Sequence, residues 1–262
     1  MIRFPMKYYI VIGASRGVGA AIVEHLLTPD SVVYAVSRSE SRELQALAAK
    51  REATLHWLSR DLSNPVTADS LMKEIAHQIH SGIQKAPPQR VALFLSAAQL
   101  QPIGVAGTLP SDAVDAAVRL NLAMPITVTQ QFLRYFGDAP CPVRGVLLSS
   151  GASQRVMPGL SVYSATKAGI NAFVRSAQVE IDGAPEAFRD VRLFAVSPGK
   201  VDTAMQETLR ATDSTALPER EIYQRWKDEG TLADPLETAG KVVGVLTRED
   251  IEPGSYVHMT DL

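Results

Sequence analysis

An open α/β fold, in which one parallel sheet of about seven strands is wound on both faces by helices, is the class this sequence predicts. Three observations carry the prediction. Short, near-continuous apolar runs alternate with longer segments of helical period. Those runs lack the polar alternation of half-exposed strands, as expected of parallel strands covered on both sides. The first run passes directly through a glycine-rich turn into the first helical segment. With 262 residues, 46% hydrophobic and 21% charged, the chain has ordinary globular usage, and one domain over 1–262 accommodates it.

The elements follow in order. Residues 8–12 form the first strand and 18–27 the first helix; 32–36 and 54–58 are strands on either side of a helix at 40–50. Residues 91–95, 143–148 and 191–196 supply three more buried strands, with helical patterns at 113–120, 125–136 and 167–181 between them. The segment 203–230 breaks this rhythm with mixed charge and apolar Leu209, Leu217, Ile222 and Trp226. It is expected to be a small helical insertion before the last helix. A substrate lid and a plain surface excursion both fit it. No internal repeat or interdomain linker divides the chain.

Composition excludes several function classes. Lys and Arg number 26 against 28 Asp and Glu, so no basic footprint exists for nucleic acid or an anionic membrane. No apolar stretch reaches the ~18 residues of a membrane span, and residues 1–7 lack the apolar core of a secretory signal, so a cytoplasmic protein is expected. Cys141, between two prolines, is the only cysteine and reads as an incidental loop thiol. His25, His56, His77, His80 and His258 are scattered, and His77 with His80 reads as surface, so no metal site is expected.

The turn Gly13-Ala14-Ser15-Arg16-Gly17-Val18-Gly19 carries the first chemistry. Glycines there let backbone N–H groups approach a pyrophosphate, and the helix that opens behind them adds partial positive charge. A bare strand-to-helix turn is the alternative, but the first βα junction of a repeated βα chain favours a Rossmann-type dinucleotide site. The second strand ends at Ser37-Arg38, where a site for NAD usually places an acid on the ribose hydroxyls. Arg38 with Arg16 suits a 2′-phosphate instead, so NADP(H) is the expected cofactor. Two solvated arginines are the other reading.

Tyr163 and Lys167 stand four apart, hence on one helical face, and Ser150 ends the preceding strand. An ammonium beside a phenol stabilises the phenolate, moving its acid–base chemistry toward neutrality. All three belong at the sheet edge where α/β proteins bind ligands. Pro198, Gly199, Val201 and Thr203, following the sixth strand, fall at the same edge, although a plain Pro-Gly turn explains them too. Asn121 is a polar residue in a helical, otherwise apolar pattern and requires a partner.

Together these residues resemble the short-chain dehydrogenase/reductase family over essentially the whole chain. The family's Gly-x-x-x-Gly-x-Gly loop, Asn-Ser-Tyr-Lys set and Pro-Gly-x-Val-x-Thr stretch fall on 13–19, on Asn121, Ser150, Tyr163 and Lys167, and on 198–203. Within the family the chain is most similar to the sepiapterin reductase branch and its benzil reductases that form (S)-benzoin. Gln101-Pro102-Ile103-Gly104, Ser149-Ser150-Gly151-Ala152, residues 163–169, Val201-Asp202-Thr203-Ala204-Met205 and Lys227-Asp228-Glu229-Gly230 carry that likeness.

The resemblance implies an NADPH-dependent reductase of a ketone or α-diketone. Tyr163 would be the general acid and Ser150 the carbonyl's hydrogen-bond partner. Lys167 would hold the ribose and lower the tyrosine's pKa, and Asn121 would position a relay water. Asp61 and Leu62 would contact adenine, although Asp61 also reads as a helix cap, and Ser96, Ala97 and Ala98 would line the cofactor loop. Homodimers or homotetramers are common in the family.

Two departures matter. Ile12 and Ser96-Ala97-Ala98-Gln99 stand where the family has threonine and Asn-Asn-Ala-Gly, implying a repacked, more apolar joint between the loops. His258 stands where some sepiapterin reductases place an aspartate in a C-terminal strand. Apolar Met157 and Leu160, with those of 203–230, fit either a pocket wall for an aromatic ketone or core packing. A pterin reductase, an NADP sensor without turnover and an S-adenosyl methyltransferase are the competing functions, the last leaving Ser150, Tyr163 and Lys167 unexplained.

Overall fold

A computed structural model describes residues 6–62, 65–83 and 88–261; residues 1–5, on which most of the signal-sequence reading rests, lie outside them. The apolar runs become β1 (Met6–Ile12), β2 (Ser31–Ser37), β3 (Thr54–Ser59), β4 (Pro88–Leu95), β5 (Val143–Leu148) and β6 (Val191–Ser197), closed by a short β7 (Tyr256–His258). All pair in parallel in the order β3-β2-β1-β4-β5-β6-β7. The chain winds outward from β1 to β3, returns across β1 to β4, and winds outward again. That reversal puts a crevice beyond the carboxyl ends of β1 and β4.

The pleat of β1 divides the core. Tyr8, Ile10 and Ile12 face α3 (Pro65–Ile83), α5 (Met124–Phe136) and α6 (Ser161–Asp182), whose Leu71, Ile75, Phe132, Phe136 and Val174 are buried against the sheet. Tyr9 and Val11 face the other way, onto Ile22 and Leu26 of α1 (Gly17–Leu26), Leu44 of α2 (Arg42–Lys50) and Val242 of α9 (Pro235–Gly244). Both faces are therefore dry, which is why these strands read as unbroken apolar runs.

Several boundaries differ from the sequence reading. α2 starts at Arg42 rather than 40 because Ser41 caps it, its hydroxyl accepting from the Leu44 amide at 3.3 Å. α6 begins six residues before 167, so Tyr163 lies within its first turn. The pattern at 113–120 resolves into α4 (Ser111–Val118) followed by a π-helical turn, Arg119–Ala123, that carries Asn121 into α5. α3 carries His77 and His80, which the sequence places on one helix face without giving that helix bounds.

The segment 203–230 holds two short helices, α7 (Ala204–Ala211) and α8 (Arg220–Asp228). They build a third apolar cluster, separate from the two sheet cores, in which Leu209, Leu217 and Tyr223 pack with Leu100, Leu160 and Tyr163. Cys141 lies in the short connection before β5 as expected, but is buried, and burial raises its thiol pKa. Among the described residues no helix is long and apolar enough to cross a membrane.

Candidate active site

A cleft of about 620 Å³ runs along the carboxyl ends of the strands, from Arg38 at one end to Tyr163 and Met205 at the other. Its floor is the junction of the first and fourth strands. The Ile12 carbonyl accepts from the amides of Ser96 (2.9 Å) and Ala97 (3.1 Å), so backbone hydrogen bonds join the two loops. A Cβ on Gly13, whose φ is +88°, would sit 2.5 Å from the Ala97 nitrogen, and one on Gly19 would overlap the Gly13 carbonyl oxygen. The glycines thus serve close packing of the turn against β4 and α1 as much as ligand approach. The joint between these loops, expected to be repacked and more apolar, consists of these backbone hydrogen bonds and the close approach of Gly13 to Ala97.

At the N-terminus of α1, Arg16 is the cap residue with no side-chain capping bond, and no acidic residue occupies the first turn. The amides there face the cleft wall formed by Gly13, Ser15, Arg16, Gly17 and Val18. A first turn without a carboxylate, behind glycines that admit no side chain, fits a pyrophosphate. At the β2 end, Ser37 and Arg38 line the cleft, and Arg16 and Arg38 are exposed with no ion-pair partner among the described residues. Arg60, which the sequence reading passed over, joins them while holding Glu74 at 3.1 Å. Asp61 and Leu62 line the same end. These residues fit a phosphorylated adenosine ribose by the chemistry of their donors.

At the other end, Lys167 is 4% exposed and Tyr163 6%. The ammonium donates to the Leu148 carbonyl at the end of β5 (2.7 Å) and lies 5.8 Å from the Tyr163 ring centroid. Burial pushes Lys167 down to about 8. Burial raises Tyr163 above its ordinary value, opposed by its hydrogen bond with Ser150. The expected lowering by Lys167 is therefore corrected: desolvation of the phenol dominates, and the ammonium is committed to a backbone carbonyl. Ser150 itself caps a 3-10 turn, Gly151–Ser153, its Oγ accepting from the Ala152 amide at 3.2 Å.

Asn121 finds the partner its burial demanded. Its Oδ1 accepts from the Gln99 amide (2.9 Å) and its Nδ2 donates to the Gln99 carbonyl (2.8 Å), clamping the loop after β4 from a fully buried position. The side chain is spent on that clamp, and Asn121 does not line the cleft. Of the other predicted residues, Ser96, Ala97, Ala98, Pro198 and Thr203 line it, whereas Gly19, Ser150, Gly199 and Val201 do not. Val201 is buried and bridges in parallel to Ala233, which turns it from the wall.

Two contacts fasten the 198–203 loop to α8. Lys200 lies over the Trp226 ring at 4.7 Å, and Lys227 pairs with Asp202 at 2.7 Å. The apolar residues of 203–230, with Leu160 ahead of them, divide between packing and cleft. Leu209, Leu217 and Leu160 are core packing, while Met205 reaches the cleft and Tyr163 is seated in the cluster they form. Asn171, also absent from the sequence reading, bonds Ser149 and Ser153 beside Ser150. Its signal was spacing alone, one turn past Lys167.

Comparison with known proteins agrees with this geometry. The family model described as short chain dehydrogenase matches residues 7–214. A benzil reductase ((S)-benzoin forming) of Bacillus cereus is 28% identical over 98% of this chain and 100% of its own. The sepiapterin reductase of Mus musculus is 29% identical over 96% of each chain. The crystal structure of the KRED1-Pglu enzyme superposes with a TM-score of 0.79 at 27% identity, covering 96% of this chain and 100% of that one.

Proposed function

Because the chain belongs to the short chain dehydrogenase family, we propose that it is an NADPH-dependent carbonyl reductase acting on a ketone or α-diketone, with benzil-like aromatic diketones favoured. The observation that carries the reading is buried Tyr163 with the Lys167 ammonium 5.8 Å from its ring, beside the turn that Ser150 caps, at one end of a cleft whose other end presents Arg16 and Arg38, neither in an ion pair among the described residues. When bound, the nicotinamide supplies the hydride. Everything else falls to this chain. Ser150 donates a hydrogen bond to the substrate oxygen, and Tyr163 transfers its proton to that oxygen as the carbonyl carbon is reduced to an alcohol.

Lys167, held by the Leu148 carbonyl, keeps a positive charge next to the phenol and presents its ammonium to the cofactor ribose. Arg16 and Arg38 receive the 2′-phosphate. The aromatic preference is supported by Leu100 and Met205, apolar residues that line the cleft and pack in the same cluster as Tyr163. The names of the relatives point the same way. A cytoplasmic location and a homodimer or homotetramer belong to this proposal, and a small carbonyl compound, rather than nucleic acid or a membrane, is its partner.

The test follows NADPH and NADH consumption with benzil, sepiapterin and simple ketones, with Tyr163→Phe as the control. Turnover of benzil with NADPH, lost in the variant, is the expected result. Preference for NADH would remove the roles given to Arg16 and Arg38. Tight NADPH binding without turnover of any carbonyl would replace the enzyme with a sensor.

A further inference from the structure

Ser150 must stay on Tyr163, yet the turn it caps is only three residues long, and short 3-10 turns have poor internal hydrogen bonding. Packing holds it at one point only: Ala152 is buried in the third apolar cluster, whereas nothing lies within 4 Å of the place a Cβ on Gly151 would occupy. A chain of side-chain hydrogen bonds does the holding. Asn171 stands on the face of α6 that carries Tyr163 and Lys167, since 163, 167 and 171 are successive fourth residues. Its Oδ1 accepts from Ser149 Oγ at 2.6 Å, and its Nδ2 donates to Ser153 Oγ at 2.8 Å. Ser153 Oγ in turn donates to the Ser150 carbonyl at 2.6 Å. Ser149 is anchored from the other side, its amide donating to the Val196 carbonyl of β6 at 2.7 Å.

We propose that Asn171 is a positioning residue that locks the Ser150 turn to α6 and to β6 through Ser149 and Ser153, fixing the Ser150 hydroxyl against Tyr163. Both ends of its amide are used, and each use is directional. The Oδ1 side reaches Ser149, just beyond the end of β5, and the Nδ2 side reaches the turn, so one side chain sets the distance between that strand end and the helix that carries Tyr163. The inference rests on the reading of Ser150 and Tyr163 given above. Its scale follows from geometry, because displacing a reacting or hydrogen-bonding group by about 1 Å costs up to about 100-fold in rate.

The experiment is a double-mutant cycle on benzil reduction. Asn171→Ala is expected to lower kcat by about 10- to 100-fold with the KM for NADPH unchanged, since no residue of the cofactor cleft's arginine end is touched. In a Ser150→Ala background the same substitution is expected to leave the residual kcat, measured from accumulated alcohol, within about twofold. A role confined to general stability would cost as much in either background and would overturn the inference. Ser153→Ala severs the link to the turn while sparing the Asn171–Ser149 bond, and carries the same expectation should Asn171→Ala not fold. Full activity in both variants would also overturn it. If Ser150→Ala alone leaves turnover intact, the mechanism fails and the inference with it. If Ser150→Ala is impaired and Asn171→Ala and Ser153→Ala are not, the inference alone fails.

Discussion

Lys167→Met separates the stability cost of a buried ammonium from its use. The side chain is 4% exposed, and burial takes its pKa from 10.5 to about 8. At about 1.4 kcal/mol per unit, folding at neutral pH carries about 3 kcal/mol for keeping this group charged. The sign follows from proton binding: between about pH 8 and pH 10.5 the unfolded chain holds this proton and the folded one does not, so the parent protein gains stability as pH rises. Below about 8 both states hold the proton and the whole cost is present. Methionine removes the cost but leaves the Leu148 carbonyl without its donor, a loss of about 1–3 kcal/mol that does not depend on pH. Urea unfolding of parent and variant, followed by fluorescence, measures both. The variant's stability relative to the parent should fall by about 3 kcal/mol between about pH 7 and pH 10.5, while its turnover is absent throughout. A difference that stays flat over that range would refute a desolvated ammonium at this position.

Two further outcomes are expected. Arg38→Ser should lower kcat/KM with NADPH about tenfold, at the low end for a charge-assisted contact because Arg38 is exposed, and leave NADH nearly unchanged; the ratio of the two cofactors measures it. Gly19→Ala places a Cβ onto the Gly13 carbonyl, which rigid backbone cannot yield, so thermal unfolding should show a loss of more than about 2 kcal/mol and cofactor titration a loss of affinity.

What the sequence disclosed, and what it hid, divide along physical lines. Strands at 143–148 and 191–196 were legible because both faces are buried and the apolar run is continuous. The order of chemistry along the chain was legible too: Gly13, Ser150, Tyr163 and Lys167 each stand at a strand end or helix start, and the parallel sheet sends all those ends to one edge. Long-range partners were not. Nothing local marks Gln99 as the residue Asn121 clamps 22 positions away, nor Ser153 as the partner of Asn171. Nor does local spacing report desolvation, so the proximity of Lys167 suggested a lowered phenol pKa where burial raises it. At 203–230 a helical insertion was legible, but not its division into two helices or the meeting of their apolar residues with the Tyr163 ring.

The third apolar cluster has a bearing on motion. Because Leu209, Leu217 and Tyr223 pack apart from both sheet cores, α7 and α8 are expected to open locally before the sheet does. Amide exchange along those helices should accordingly run ahead of exchange in β4 and β5. Tyr163 belongs to this cluster through its ring and to α6 through its backbone. Local opening of α7 and α8 would wet the Tyr163 phenol and closing would dry it, so the burial that raises this group's pKa is tied to the stability of two short helices.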